Sequence, residues 1–196
     1  MKKKVYLIRH AESEANAGGR TSDPSKIALS PAGIKQAEEM AAMISETPEL
    51  IVTSSYIRTV QTAAPLMRRS RKTPHEIWEV HEFTYLAPGR CKNTSLLERR
   101  PIVEEYWKKR DPFYCDGEGA ESFNDFIGRV KRTLGRLRSG RESTIAIFSH
   151  EQFIKALLWV LNRGEIARLS SEDMKEYKDL LAVSRILNCR IVEVEI

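Results

Sequence analysis

Hydrophobic residues along the chain recur in two alternating patterns, short apolar runs and longer amphipathic stretches. The short runs predict strands at 3–8, 50–53, 77–80 and 144–148, and strict apolar–polar alternation over 191–196 predicts an edge strand. Stretches with helical spacing fill the intervals between these runs. Because strands and helices alternate, the pattern favours an α/β domain with a largely parallel sheet.

The helical stretches also show where helices begin and end. Ser30 and Pro31 provide an N-cap and a first-turn proline for a helix with one apolar face, formed by Ile34, Ala37, Ala41 and Ile44. A second predicted helix begins near Tyr56, with Ser55 as its cap, and bends or ends near Pro65. A third covers 94–110 with a break at Pro101, and residues 111–119 after it are rich in turn residues. Three more predicted helices begin at Ser122, follow His150 and cover 171–181.

Length and composition indicate one globular domain over residues 1–196. The chain is 41% hydrophobic and 30% charged, which is typical of a folded protein with a sizeable core. Its three cysteines, Cys91, Cys115 and Cys189, show no CxxC spacing, so neither a disulfide framework nor a zinc ribbon is predicted. A lysine run at 2–4 precedes an apolar run too short for a secretory leader. We therefore expect a cytoplasmic protein without a membrane partner.

The net charge of +5 raises the question of nucleic-acid binding. The densest basic stretch, 129–141, alternates with apolar residues at helical spacing, so we expect its charges to line the solvent side of an amphipathic helix. It contains no aromatic residues between the charges on which bases would stack. We expect no nucleic-acid partner, although the positive charge would attract small anionic substrates.

Polar groups suited to phosphoryl chemistry follow three of the predicted strands. Arg9 and His10 end the first strand, Arg58 lies just beyond the second, and His150 ends the strand at 144–148. In parallel sheets, ligands bind at the carboxyl ends of the strands. Arginine suits bidentate contact with a phosphoryl group, and a neutral imidazole is a competent nucleophile toward phosphorus. The pattern therefore predicts a phosphate pocket in which one histidine forms phosphohistidine.

Each of these residues has a simpler interpretation when taken alone. A single buried histidine is more often a hydrogen-bonded structural group, and a single arginine or glutamate more often a solvated surface residue. Only their joint placement favours a site.

Six segments together resemble the histidine phosphatase superfamily, the phosphoglycerate mutase-like phosphohydrolases. They are RHAESEAN, DPSKIALSPAGIKQA, SSYIRTVQTA, HEF, GAESF and SHEQ, and they follow in order over nearly the whole chain. The resemblance implies a three-layer α/β/α sandwich around a mostly parallel mixed sheet. It also implies a metal-independent phosphohydrolase of the histidine acid phosphatase type, which needs no cofactor.

The resemblance assigns roles by position. His10 resembles the phosphorylated nucleophile, while Arg9, Arg58 and His150 resemble the rest of the phosphate pocket. Ser13, Asn16 and Glu151 match further phosphate-contacting positions, and Glu82 in VHEF matches the proton donor, with Glu79 as its neighbouring competitor. That donor protonates the leaving alkoxide and then deprotonates water, so it requires a carboxyl with a raised pKa.

Two positions depart from the family pattern. Ala11 replaces the commoner glycine, and Glu151 replaces the glycine that usually follows the second histidine. The backbone amide of Glu151 remains a donor, but its carboxylate adds negative charge beside the phosphate unless it points away.

The resemblance favours hydrolysis of a phosphate monoester, with a phosphorylated small molecule as substrate and a phosphopeptide as a second possibility. The segment 83–121 does not resemble the substrate-capping insert of the mutases, and we expect it to cap the site of this chain. Its candidate substrate contacts are Tyr85, Arg90, Lys92, Tyr106, Trp107, Lys108 and Arg110. The sequence does not indicate the natural substrate or the oligomeric state.

Three alternatives remain open at this point. One is a phosphoglycerate mutase, which returns the phosphoryl group to a sugar acid. Another is a binding module that keeps the phosphate pocket without turnover. The third is a metal hydrolase using His10, Glu12, Glu14 and His150, although two arginines in the same pocket oppose a cation.

Overall fold

The computed structural model describes residues 2–21, 23–164 and 166–196. Within these residues, one sheet contains five strands, which are β1 (Lys4–Arg9), β2 (Leu50–Thr53), β3 (His75–Ile77), β4 (Thr144–Ser149) and β5 (Ile191–Glu195). Their order across the sheet is β3-β2-β4-β1-β5. The first four strands are parallel to one another, and β5 runs antiparallel beside β1. The predicted mixed, mostly parallel sheet with β5 at its edge is confirmed.

Helices cover both faces of this sheet. They are α1 (Pro31–Met43), α2 (Ile57–Arg69), α3 (Pro88–Cys91), α4 (Arg100–Lys108), α5 (Phe123–Ser139), α6 (Glu151–Arg163) and α7 (Ser171–Val183). Residues of β1 alternate between the faces, so that Leu7 packs with the cluster containing α4 to α7, and Ile8 packs with the cluster containing α1 and α2. This arrangement is the expected three-layer sandwich. No helix of the described residues is long and apolar enough to cross a membrane.

Several local predictions require correction. In α1 the buried face is Gly33, Ala37, Met40 and Ala41, while Ile34 is 55% exposed, because the smaller side chains allow the helix to approach its neighbours. The third strand covers His75–Ile77 and so ends where the predicted strand, 77–80, began. After Ile77 the chain leaves the sheet, and the side chains of Trp78 and Val80 insert into the core.

Two prolines act differently from their predicted roles. Pro65 lies inside α2, which continues to Arg69 because its buried residues keep packing against the sheet. Pro101 belongs to the first turn of α4 and begins that helix rather than breaking it, since a proline there forgoes no intrahelical hydrogen bond. The predicted Ser55 cap is also wrong, because Tyr56 occupies the N-cap and its amide donates to Ser54 Oγ at 3.2 Å.

Arg129 does not lie on the solvent side of α5 as predicted. It is 3% exposed and forms an ion pair with Glu121 at 2.7 Å. Its guanidinium also donates to the carbonyl oxygens of Glu79, His81 and Glu82 at 2.8–3.1 Å. A buried charge needs such partners, and the helical periodicity did not reveal them. Arg129 therefore fixes the backbone of the segment that carries Glu82.

Candidate active site

Four polar side chains meet at the carboxyl ends of the parallel strands. Arg9, His10, Arg58 and His150 are each less than 8% exposed, and we call them the polar floor. Arg9 ends β1, and His10 and His150 follow β1 and β4 directly, while Arg58 lies in the first turn of α2. The parallel pairing of β1 with β4 places Arg9 beside Ser149, so the two histidines leave the sheet side by side. Their ring centroids are 5.1 Å apart.

The hydrogen bonds of His10 show which ring nitrogen carries the proton and which one has the unshared electron pair. Nδ1 lies 2.7 Å from the carbonyl oxygen of Ala11, so it carries the proton and donates to that oxygen. Nε2 accepts from Arg58 Nε at 3.1 Å, since a guanidinium can only donate. His10 therefore presents a neutral ring whose Nε2 electron pair faces Arg58.

His150 is held in the same neutral form behind Arg58. Its Nδ1 accepts from Arg58 Nη2 at 3.1 Å, and its Nε2 donates to Ser54 Oγ at 2.9 Å. Arg58 thus bridges the two imidazoles, and its remaining nitrogen, Nη1, donates to the carbonyl of Pro24 at 2.6 Å. Its guanidinium also stacks over Tyr56, 4.7 Å from the ring centre. These partners fix the plane of the guanidinium.

The backbone around His10 is tied to three separate elements. The His10 amide donates to Ser149 O at 2.9 Å, and its carbonyl accepts from Asn188 Nδ2 at 2.8 Å. The next amide, that of Ala11, donates to Thr62 Oγ1 at 3.0 Å. A Cβ on Gly33 would lie 2.0 Å from Glu12 O, so only glycine lets α1 approach the loop after His10 this closely. The nucleophile candidate is therefore held rigidly.

Burial and positive charge keep both imidazoles unprotonated. Burial lowers the pKa of His10 well below 6.5, and the Arg58 charge lowers it further. The same two causes lower the pKa of His150. Burial also lowers the pKa of Arg58 to about 10, which leaves it charged at neutral pH. The floor thus combines neutral histidines with permanent cations, an environment suited to a dianion.

Glu82 lies in the wall of the cavity above the floor, whereas Glu79 lies at the surface. Glu82 Oε1 accepts from the amides of Gln152 and Phe83 at 3.1 and 3.2 Å. Burial raises the pKa of Glu82, opposed by the Phe83 amide and by the charges of Arg58 and Arg9. The Glu79 side chain is 70% exposed and pairs with Arg132. Geometry and electrostatics both favour Glu82 as the acid.

Glu151 turns its carboxylate away from the cavity. Its Oε2 pairs with Arg9 at 3.0 Å, and its Oε1 accepts from the Ile186 amide at 3.0 Å and lies 3.4 Å from Lys155 Nζ. Lys155 is 4% exposed, so its charge balances that of Glu151 inside the protein. The side chain consequently supports Arg9 from behind and adds no negative charge to the cavity itself.

The polar floor opens into a cavity of about 260 Å³. Arg9, His10, Ser13, Asn16, Arg58 and Glu82 all line this cavity, while His150 and Glu151 are not among its lining residues. Ser13 Oγ donates to Asn16 Oδ1 at 3.0 Å, which connects these two predicted positions to each other. Six of the eight predicted site residues therefore line the cavity, His150 contacts two of them, Arg58 and His10, and Glu151 lies behind Arg9.

Much of the remaining cavity lining comes from the segment 83–121. We call five of these lining residues, Tyr85, Leu86, Leu96, Arg99 and Val103, the outer wall. Of the contacts predicted from sequence in this segment, only Tyr85 lines the cavity. The rings of Tyr106 and Trp107 are buried in the core, Arg90 pairs with Asp116, and Lys92, Lys108 and Arg110 are exposed.

Sequence reasoning missed several residues that support the site. Ser54 holds His150, Thr62 and Asn188 hold the backbone beside His10, and Gln152 donates to Glu82. Ser54 directly follows β2 and Gln152 lies in the first turn of α6, so their positions at element ends were a usable signal. Asn188, far away in the sequence, offered none.

The two histidines proposed for a metal lie close together, but Glu12 does not join them. Both histidines are bonded to Arg58, and Glu12 Oε1 accepts from the Ser30 hydroxyl at 2.6 Å. No group of three or more histidine, cysteine or carboxylate side chains suited to a metal ion is present among the described residues.

Comparisons with known proteins show the family and the fold. The sequence profile of the histidine phosphatase superfamily (branch 1) matches residues 5–186. The adenosylcobalamin/alpha-ribazole phosphatase of Salmonella typhi is 25% identical over 162 residues, covering 79% of this chain and 77% of that protein. The solved alpha-ribazole phosphatase of Shigella flexneri is 24% identical, covers 98% of this chain and 90% of its own, and superposes with a TM-score of 0.73, which shows the shared fold.

A second group of relatives is much longer than this chain. The human 6-phosphofructo-2-kinase/fructose-2,6-bisphosphatase 3 is 27% identical over 159 residues, or 79% of this chain. The chain spans only 28% of the length of that protein.

Proposed function

Since the chain belongs to the histidine phosphatase superfamily, branch 1, we propose that it hydrolyses a phosphate monoester through a phosphohistidine on His10. One observation carries the proposal: the Nε2 electron pair of a neutral, buried His10 faces Arg58 at the base of a cavity that also contains Arg9 and Glu82. The phosphatase relatives support hydrolysis as the reaction class.

In the first step, His10 Nε2 attacks phosphorus and the bond between phosphorus and the ester oxygen breaks. The Glu82 proton goes to the departing alkoxide. Burial raises the pKa of this carboxyl and so favours the protonated form that acts as the acid. Arg9 and Arg58 bind the phosphoryl oxygens, and their charges stabilise the transition state. Arg58 gives up its hydrogen bond to His10 Nε2 before the attack, because that bond uses the attacking electron pair, and donates to the phosphoryl group instead.

In the second step, water attacks the phosphohistidine. The Glu82 carboxylate accepts a proton from that water, its oxygen bonds to phosphorus, and the phosphorus–nitrogen bond breaks. Inorganic phosphate leaves, the electron pair returns to Nε2, and Glu82 is protonated again. His150, fixed between Ser54 and Arg58, keeps the guanidinium aligned in both steps.

The segment 83–121 serves in this proposal as the substrate cap. It supplies the outer wall. The amide of Thr21, in the loop before α1, donates to the carbonyl oxygen of Thr94 in this segment at 3.1 Å. This connection holds the cap over the floor. A phosphorylated small molecule fits the size of the cavity, whereas a phosphopeptide would have to extend out of it.

Trapping the intermediate tests the mechanism. The protein is incubated with a ³²P-labelled aryl phosphate, quenched in alkali and mapped by mass spectrometry. We expect alkali-stable, acid-labile label on His10. Label on another residue, or turnover without any labelled protein in rapid-quench samples, contradicts the proposal.

The same experiment separates the alternatives. Addition of phosphoglycerate should leave the label in inorganic phosphate, and transfer into the acceptor would instead indicate a mutase. Excess EDTA should leave the rate of hydrolysis unchanged. Loss of activity in EDTA would indicate a metal hydrolase. Phosphate binding without turnover across the pH range would indicate a binding module.

A further inference from the structure

The outer wall contains one cation that the proposed reaction does not use. Arg99 lines the cavity as part of the segment 83–121 and makes no hydrogen bond to the polar floor. Its one side-chain hydrogen bond among the described residues is from Nη2 to Thr21 Oγ1 at 3.2 Å. No described carboxylate lies within salt-bridge distance of it. The guanidinium therefore has donors left over for a ligand.

Two other arginines near this wall, Arg20 and Arg90, have carboxylate partners, whereas Arg99 has none in the described part of the chain. Arg20 pairs with Glu98 at 2.9 Å, and Arg90 pairs with Asp116 and lies 3.9 Å from Glu105. Glu98 is adjacent to Arg99 in sequence, yet its carboxylate turns outward to Arg20 and to the Ser95 amide. The Thr21 hydroxyl, which accepts the hydrogen bond from Arg99, belongs to a residue that lines the same cavity. The side chain is thus directed to the cavity and lacks a protein anion there.

Charge around the cavity exceeds what one phosphoryl group neutralises. Lys155 balances Glu151, which leaves Arg9, Arg58 and Arg99 as three positive charges when Glu82 carries its proton. A phosphate monoester supplies about two negative charges at neutral pH. One positive charge, which we assign to Arg99 in the outer wall, remains without an anion.

The cavity also has an apolar part. Leu86, Leu96 and Val103 line it together with Ile27 and the ring of Tyr85. Such a surface favours a hydrophobic body in the alcohol part of the substrate, because contact removes apolar area from water on both sides. Guanidinium groups are weakly hydrated and match the planar geometry of carboxylates and the oxygens of phosphates.

We propose that Arg99 binds a second anionic group of the substrate, a carboxylate or a second phosphate, on an alcohol part with an apolar body. This inference rests on the proposed phosphatase function and identifies the substrate class of that site. Arg99 is a binding residue in this scheme and takes no part in bond breaking.

Matched aryl phosphates test the inference. The probes are 3- and 4-carboxyphenyl phosphate, their neutral carbamoyl analogues, and 4-(phosphonomethyl)phenyl phosphate. For the anionic probe that fits best, Arg99→Gln should raise KM about 10- to 100-fold, since a charge-assisted hydrogen bond is lost, with kcat nearly unchanged. The carbamoyl analogues should change less than about twofold. A better fit of the carboxylate or of the phosphonate identifies which anion the wall accepts.

Arg100→Gln is the matched control. Arg100 is exposed, has the same charge and does not line the cavity. Equal losses in Arg99→Gln and Arg100→Gln, or equal losses for anionic and neutral probes, overturn the inference. If the wild-type protein hydrolyses none of the probes, the phosphatase proposal fails, and calorimetric binding of the same compounds to both variants still tests Arg99.

Discussion

The polar floor and the outer wall differ in how firmly the protein holds their side chains. In the floor, Arg58 bonds to both histidines and stacks on Tyr56, and each histidine is bonded through both ring nitrogens. In the wall, Leu96 is 60% exposed and Arg99 has one hydrogen bond to a hydroxyl. The floor is therefore built for one invariant group, the phosphoryl, whereas the wall is left with unused donors and apolar surface for the rest of the substrate.

The two regions also stand on different elements. The floor lies at strand ends and helix starts, where backbone hydrogen bonds on both sides fix each side chain. The wall lies on a segment with the short helices α3 and α4 and connecting loops, attached to the loop before α1 through Thr21 and Thr94. Substitutions in the floor should accordingly change chemistry for every substrate, and those in the wall should change only substrate preference.

The largest effect should come from His10→Ala, which removes the nucleophile. We expect kcat to fall by at least about 10⁴-fold for all substrates, because the remaining groups bind but do not form the covalent intermediate. Steady-state and burst kinetics with 4-nitrophenyl phosphate measure this loss. His75→Ala is the control, since His75 lies in the edge strand β3, bonds to Thr53 and does not line the cavity. A burst that survives in His10→Ala would contradict the floor assignment.

Glu82→Gln should discriminate between leaving groups. Protonation of the alkoxide by a general acid contributes about 10²–10⁴-fold, so kcat for an alkyl phosphate should fall within that range. The loss for 4-nitrophenyl phosphate should be far smaller, because that leaving group departs without a proton. Glu79→Gln, a change in the exposed neighbour, should affect neither. Equal losses for both substrates would remove Glu82 from the role of acid.

The pH profile of kcat should reflect the pKa values of two buried groups, lowered in His10 and raised in Glu82. The reactive form needs neutral His10 and protonated Glu82. Because the pKa of His10 is well below 6.5, activity should persist into acid, and because the pKa of Glu82 is raised above 4.5, the alkaline limb should lie above that value. Glu82→Gln should remove this alkaline limb and leave the ionisation of the substrate phosphate in place. An unchanged limb in the variant would assign it to another group.

The contrast between floor and wall also explains what the sequence could predict. The floor residues directly follow apolar strands, and parallel strands bring their carboxyl ends together, so Arg9, His10 and His150 were predictable from pattern alone. The wall depends on tertiary packing: Tyr106 and Trp107 resemble substrate contacts in sequence but fill the core, while Arg99 resembles a surface residue and lines the cavity. Amphipathic periodicity likewise placed Arg129 in solvent, because it carries no information on long-range partners such as Glu121.

Glu151→Gln tests how far the floor depends on its supports. The substitution leaves Arg9 and the buried Lys155 without their shared anion, although the amide can still accept from Ile186. We expect a loss of about 2 kcal/mol in the free energy of unfolding, measured by urea titration. Phosphate inhibition should weaken a few-fold as Arg9 loses its alignment. Glu79→Gln, which breaks the exposed pair with Arg132, should cost less than about 0.5 kcal/mol. Equal costs would show that Glu151 gives Arg9 no special support.

The smallest effect should come from the rim of the outer wall, where Leu96 and Leu97 form a matched pair. Both are exposed, at 60% and 68%, but only Leu96 lines the cavity. Leu96→Ser should raise KM for phenyl phosphate about fivefold, corresponding to about 1 kcal/mol of apolar contact, and leave KM for methyl phosphate unchanged, since a methyl group does not reach the rim. Leu97→Ser should change neither. Because kcat should stay constant in both variants, a fall in kcat for Leu96→Ser would mean that the wall also positions the phosphoryl group, and the separation between floor and wall would fail.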